Sequence, residues 1–152
     1  MNTLRSCQAI FISLLLAANT THAQDAELAR GADLLAPFKQ DLQKALKSGL
    51  AEGPAAAIQV CRLKAPGIAA ALSVDGVRMG RSSHKLRNPD NIAPDWVSPI
   101  MQAYLDDPSS RTPRAVELAN DRWGYVEPII VQPLCLTCHG SELAPEVAGR
   151  IT

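Results

Sequence analysis

Near the C-terminal end stands Cys135-Leu136-Thr137-Cys138-His139. Two thiols three positions apart can each bond one vinyl group on the edge of a haem. The histidine beside the second can bind the iron from one face. Other uses of the pentapeptide fit less well. A thioredoxin-like dithiol belongs beside a βαβ unit, yet only a short tail follows Cys138. A zinc site needs four ligands, usually as two close pairs. Beyond the motif and the N-terminal segment only Cys61 and His84 remain, and neither has a near partner. The expected cofactor is therefore one covalently attached haem c per chain, held by Cys135, Cys138 and His139.

The second face of such an iron is open or filled. Candidates are Cys61, Met79, Met101 and His84. Thiolate is a good iron ligand, and Cys61 falls in the middle of an apolar helical stripe. The ordinary fate of a lone cysteine is that of a small buried hydrophobe, so chemistry alone leaves both roles open. Met79 shares an alternating segment with Val77 and reads as core. Met101 lies four residues from both Val97 and Leu105, a short helical core stripe. His84 sits in the polar run Ser82-Ser83-His84-Lys85 and reads as solvated. Arg78, Arg81, Lys85 and Arg87 form a basic run without an intervening acid. Arg81 and Arg87 are candidates to meet the haem propionates, against the plain alternative of a solvated strand and loop. Trp96 and Trp123 read as core or haem-wall residues. Asn88 and Asp90 read as turn formers.

Residues 1–23 have the pattern of a secretory signal peptide: Arg5, a short apolar run from Ala9 to Ala18, and a small-residue site at Thr21-His22-Ala23. The apolar run is short for a membrane span. Residues 24–152 are then expected as one exported, periplasmic domain with no stable membrane insertion after cleavage. The whole chain carries 15 basic and 15 acidic residues. Loss of Arg5 with the signal leaves a net charge of −1, which argues against nucleic acid as a partner. Cys61 is left as the odd cysteine of an oxidising compartment.

The elements that must position these groups follow from periodicity. Leu35, Phe38, Leu42, Ala45 and Leu46 predict a helix over 25–48, kinked or split at Pro37 and ended by Gly49 and Gly53. Pro54 suits the first turn of a second helix. In it Ile58, Cys61, Ala65, Ile68 and Leu72 share one face, so Cys61 points inward, and Pro66-Gly67 predicts a kink or break. Asp75-Gly76 predicts a turn and Val77–Ser82 a short strand. A helix is expected over Asp95–Leu105, capped by Asp95 or Ser98 with Pro99 in its first turn. Strands are expected at Arg114–Leu118 and Tyr125–Val131, separated by a turn at Asn120–Gly124, with Pro128 at an edge or bulge. Helices followed by a small antiparallel sheet make an α+β fold. The prolines from Pro89 to Pro133 argue against the four-helix bundle of cytochrome c′, the rival with a similarly placed motif. Small class I cytochromes c carry their motif near the N-terminus and a methionine after it, and no methionine follows His139 here.

Several stretches taken together resemble one family: Val60-Cys61-Arg62-Leu63-Lys64-Ala65-Pro66-Gly67-Ile68-Ala69, Gly80-Arg81-Ser82-Ser83, Arg87-Asn88-Pro89-Asp90-Asn91, Pro94-Asp95-Trp96 and Cys135-Leu136-Thr137-Cys138-His139-Gly140. It is the family of exported haem-c domains long catalogued as a domain of unknown function, whose fold resembles a PAS sensor domain. Its members occur alone or as sensor regions of signalling proteins. The resemblance covers roughly residues 30–145. It implies a PAS-like fold and assigns Cys61 as the iron ligand opposite His139. Family members usually continue past the haem motif with a Tyr-Pro-x-Asp segment and a Gly-rich strand pair. This chain stops at Thr152, so it is expected to be a fragment or to lack the last strands.

Thiolate favours ferric over ferrous haem, so the expected centre has a low potential. The function expected is redox sensing or electron transfer, with an unidentified redox partner or a separate signalling protein. The alternative is a CO or NO sensor, in which Cys61 leaves the reduced iron after taking a proton. An enzyme such as a peroxidase wants an open distal face with acid–base groups. No distal His or Arg–His arrangement is evident, and the chain is read as not an enzyme.

Overall fold

A computed structural model describes residues 4–86 and 88–151, with side chains from residue 22 onward apart from residue 87. In chain order the elements are α1 (Leu4–Ala51), α2 (Pro54–Ala71), α3 (Ser98–Asp106), β1 (Arg114–Leu118), β2 (Arg122–Val126), α4 (Leu136–His139) and α5 (Pro145–Ile151). Short 3-10 turns lie at Pro89–Asn91 and Pro133–Cys135. Among the described residues the fold is thus α+β, with five α-helices and one two-stranded antiparallel sheet. No helix among them is long and apolar enough to cross a membrane.

The chain forms two compact units. The first comprises Met1–Asp33 and Thr112–Glu127, the second Leu34–Arg111 and Pro128–Thr152. In the first unit β1 pairs with β2 from Arg114↔Val126 to Leu118↔Arg122. The connecting turn is tight, and Asn120 and Asp121 both adopt positive φ, at 61° and 53°. Short polar side chains tolerate that region better than most residues. The second strand therefore starts at Arg122, three residues earlier than expected. It stops before Pro128, which has no N–H to give to a ladder. The Tyr125 ring lies over α1 where Gly31 has no side chain; a Cβ there would collide with the ring. Gln24 Nε2 donates to the carbonyl of Ala115 at 3.1 Å, tying the helix to β1.

The second unit holds the candidate residues. Its buried apolar side chains are Phe38, Ala57, Ala65, Val97 and Val147. Gly53, at φ 110°, turns the chain between α1 and α2. Close approach of the two helices relies on Gly49, whose Cβ would lie 2.8 Å from the Ala57 Cα. Gly49→Ala is expected to lower stability. Overpacking against a backbone atom costs ~1–3 kcal/mol, more than the ~1 kcal/mol gained in helix propensity. A thermal melt with an unchanged or higher midpoint would contradict this reading.

Both helix prolines sit inside continuous helices. α1 runs through Pro37, and α2 runs through Pro66 and Gly67 to Ala71. The expected splits do not occur. Pro66 and Gly67 are exposed, so the carbonyl that the proline cannot satisfy faces water. α3 begins at Ser98 with Pro99 in its first turn, but its N-cap is Val97, without a side-chain cap. Ser98 Oγ instead donates to the carbonyl of Pro94.

The Val77–Ser82 strand is corrected. No strand forms there among the described residues. The alternation itself is present: Val77, Met79 and Arg81 are half-buried while Arg78, Gly80 and Ser82 are exposed. The pattern reports an extended segment packed on one side, whose backbone bonds go to a turn and a side chain and not to a ladder. The Asp75-Gly76 turn is as expected, with positive φ at both residues and Val77 N–H donating to the Val74 carbonyl at 2.9 Å.

Candidate functional site

The haem-type motif is built on two abutting helical turns. Gln132 and Pro133 open the first, and Cys135 N–H closes it on the Gln132 carbonyl at 2.8 Å. In return Gln132 N–H donates to Cys135 Sγ at 3.3 Å. α4 then carries Leu136 to His139, so Cys135 and Cys138 stand one helical turn apart on one face. Gly140 ends the turn, donating to the Leu136 carbonyl at 3.0 Å. A Cβ on Gly140 would come within 2.6 Å of that carbonyl oxygen. The glycine after the histidine is thus a packing requirement of the motif.

α4 packs against α2 and α5. α5 was not anticipated. Its signal was available in Pro145 at the helix start and in the four-residue spacing of Val147 and Ile151. Val147 is fully buried and anchors α5 beneath α2 and α4.

Cys61 lies on the inward stripe of α2, with Ala65 buried and Ile58, Ile68 and Leu72 half-buried, while Arg62, Leu63 and Lys64 are exposed. The predicted face is correct, although Cys61 itself is only half-buried. Burial pushes its thiol above the ordinary range, the positive charge of Arg81 pulls it back, and the Cys138 sulfur pushes it up. α2 packs against α4, so the helix that carries Cys61 lies against the helix that carries Cys138.

His139 follows Cys138 in the same turn and is exposed. Cys61, Cys135 and Cys138 are thiols of intermediate exposure, with no disulfide recorded at any of them. Among the described residues no three His, Cys, Asp or Glu side chains converge as a bare ion requires. Two thiols one turn apart with an adjacent imidazole are instead the donor types that would hold a haem c, and they fit such a group. Met79 is half-buried beside Arg81, Met101 is half-buried on α3, and His84 is exposed. Arg87 lies outside the described residues.

Two devices position the extended segment, of which sequence reasoning missed the first and found only the turn of the second. Ser73 Oγ donates to the Ala69 carbonyl at 2.7 Å and accepts from Met79 N–H at 2.9 Å. This fastens the extended segment to the end of α2. At its other end Ser83 N–H donates to the Asn91 carbonyl at 3.1 Å. Asn91 is itself held in a turn, where Asn88 Oδ1 accepts from Asp90 N–H at 3.0 Å and Asn91 N–H donates to the Asn88 carbonyl. The Asn-Pro-Asp-Asn stretch thus does shape a turn, and that turn pins the segment bearing Arg81. The signal for it was the asparagine before a proline.

A family model described as Tll0287-like matches residues 13–150. No curated protein and no solved structure matches the chain.

Proposed function

The chain belongs to the Tll0287-like family, a c-type haem-binding family, and from that membership we propose an exported haem-c protein of low potential that senses or transfers electrons. Cys135 and Cys138 would hold the porphyrin through thioethers, and His139 and Cys61 would be its two axial donors. The observation that carries the reading is the packing of α2, which bears Cys61, against α4, which bears Cys138 and His139. A sulfur on the stripe of α2 is then beside the place where the motif would fix a porphyrin edge.

When bound, the haem supplies an iron that cycles between ferric and ferrous states. The chain's part is to fix what surrounds it. α5 and Gly140 hold the motif turn in shape. The stripe of Ile58, Ala65 and Ile68 offers an apolar wall, which disfavours the charged state less well solvated there. Cys61 supplies negative charge, which favours ferric iron and keeps the potential low. In this reading the protein is not an enzyme. It is periplasmic and without stable membrane insertion, and its partner is a separate redox or signalling protein. A PAS-like arrangement of the elements is part of the same proposal.

Absorption spectra of purified holoprotein in both redox states, with and without CO, test it. The expected ferric spectrum is low-spin and thiolate-ligated, unchanged by added ligand. A high-spin ferric haem open to ligands would overturn the two-donor reading. Within the proposal, CO binding after reduction marks a sensor that releases Cys61, and its absence marks a carrier.

A further inference from the structure

Among the described residues ten large apolar side chains stand exposed, and four of them crowd into residues 129–136: Ile129, Val131, Leu134 and Leu136. The other six are spread singly along the chain, which is ordinary for a protein surface. The crowding coincides with a gap in charge. No Asp, Glu, Lys or Arg occurs from Pro128 to Gly140, although 20% of the chain is charged. Ile129 and Val131 are exposed and Ile130 between them is half-buried. That is the alternation of an extended chain showing two β-branched side chains on one side. Leu134 and Leu136 are exposed on either side of half-buried Cys135. Leu134 stands in the turn at Pro133–Cys135 and Leu136 opens α4. All four residues belong to the second unit. Apolar surface gathered in this way gains free energy when something takes it out of water.

We propose that residues 129–136 are a built-in apolar cover for the chain's own haem, with Ile129, Val131, Leu134 and Leu136 supplying surface that the porphyrin takes out of water. This rests on the haem-c reading above and adds to it, since that reading draws its apolar wall from α2 alone. Two features select this occupant. The first is tethering. Cys135, one of the two thioether sulfurs, lies inside the run, so a porphyrin bonded there stays close to Leu134 and Leu136 at a high effective concentration. The second is the missing rim. A face built for a protein partner has an apolar centre ringed by polar and charged groups, whereas this run carries no charged residue along its length. The broad faces of a porphyrin are apolar and ask for no such ring.

Hydroxyl-radical labelling of the haem-loaded protein, read residue by residue by mass spectrometry, tests the proposal. Ile92 is the internal reference: it is 68% exposed against 70% for Ile129, the residue type is the same, and it lies far from the motif in sequence. In the loaded protein Ile129 is expected to be labelled several-fold less than Ile92. In the haem-free Cys135→Ala, Cys138→Ala variant the two should be labelled alike. Ile129→Ser with Val131→Ser leaves the motif itself untouched. In the loaded protein this pair is expected to lower the melting midpoint by about 5 °C or more, whereas Ile92→Ser should move it by ~2 °C at most. Equal labelling of Ile129 and Ile92 in a loaded parent would overturn the proposal alone. Protection of Ile129 that vanishes on dilution would also overturn it and assign the run to a second copy of the chain. A parent with no covalent haem would overturn the haem reading, and this proposal with it.

Discussion

Protein carrying Cys135→Ala and Cys138→Ala together is expected to emerge from cells competent in haem attachment with no haem left after denaturation. Each single variant keeps one possible thioether, and its haem should fall to a small fraction of the parent's. The structure explains why neither sulfur can substitute for the other. Both stand on one face of adjoining turns, with Cys135 tied at its sulfur to Gln132 N–H and Cys138 on the helix that packs against α2. Loss of the cofactor should also cost stability. The folded state alone can pack around the porphyrin and hold its iron, so removing the group removes stabilisation that the unfolded chain never had. The check is haem staining of denatured protein, together with thermal melts. Covalent haem persisting in the double variant would remove the motif from its assigned role, and stoichiometric zinc in the parent protein would do the same.

Cys61→Ser should produce the second large effect. Hydroxyl replaces thiolate, the negative charge at the iron disappears, and ferrous haem becomes easier to reach. The midpoint potential is expected to rise by at least about one decade in the ferric–ferrous equilibrium, ~59 mV for one electron. The ferric spectrum should lose its thiolate bands, and exogenous ligands should gain access. Serine is nearly isosteric and Cys61 is only half-buried, so the packing of α2 against α4 and α5 should survive. Unchanged spectra and potential would return Cys61 to the role of a small apolar filler on the stripe that includes Ala65.

The one-dimensional record was informative where local chemistry decides. Pro54 opened α2 as expected, and the three-four spacing around Cys61 marked the correct face. β1 was read in full, because Arg114–Leu118 alternates between a turn and a proline-bounded loop. Failures arose where a neighbour in space decides. Val77–Ser82 has strand periodicity but finds Ser73 and Asn91 in place of a partner strand. Pro37 and Pro66 were read as kinks or breaks, and neither helix is broken at its proline. α5 is short, and its existence depends on the niche that Val147 fills. At the candidate site, Cys61, Cys135, Cys138 and His139 were named from residue type and resemblance, and the structure adds the packing of α2 against α4 that carries them. The half-burial of Arg81 beside exposed Arg78 and Lys85 was not legible, since nothing in a basic run tells which member packs against the protein.

The proline inside α2 has a mechanical consequence. Pro66 lacks the N–H that would reach the Arg62 carbonyl, and Arg62 follows Cys61 directly. The rung beside the cysteine is therefore missing from the ladder, and Gly67 next to it adds no side chain to brace the rod. α2 thus lacks one backbone bond a single step from its sulfur, while Ala57 at the start of the helix stays seated against Gly49.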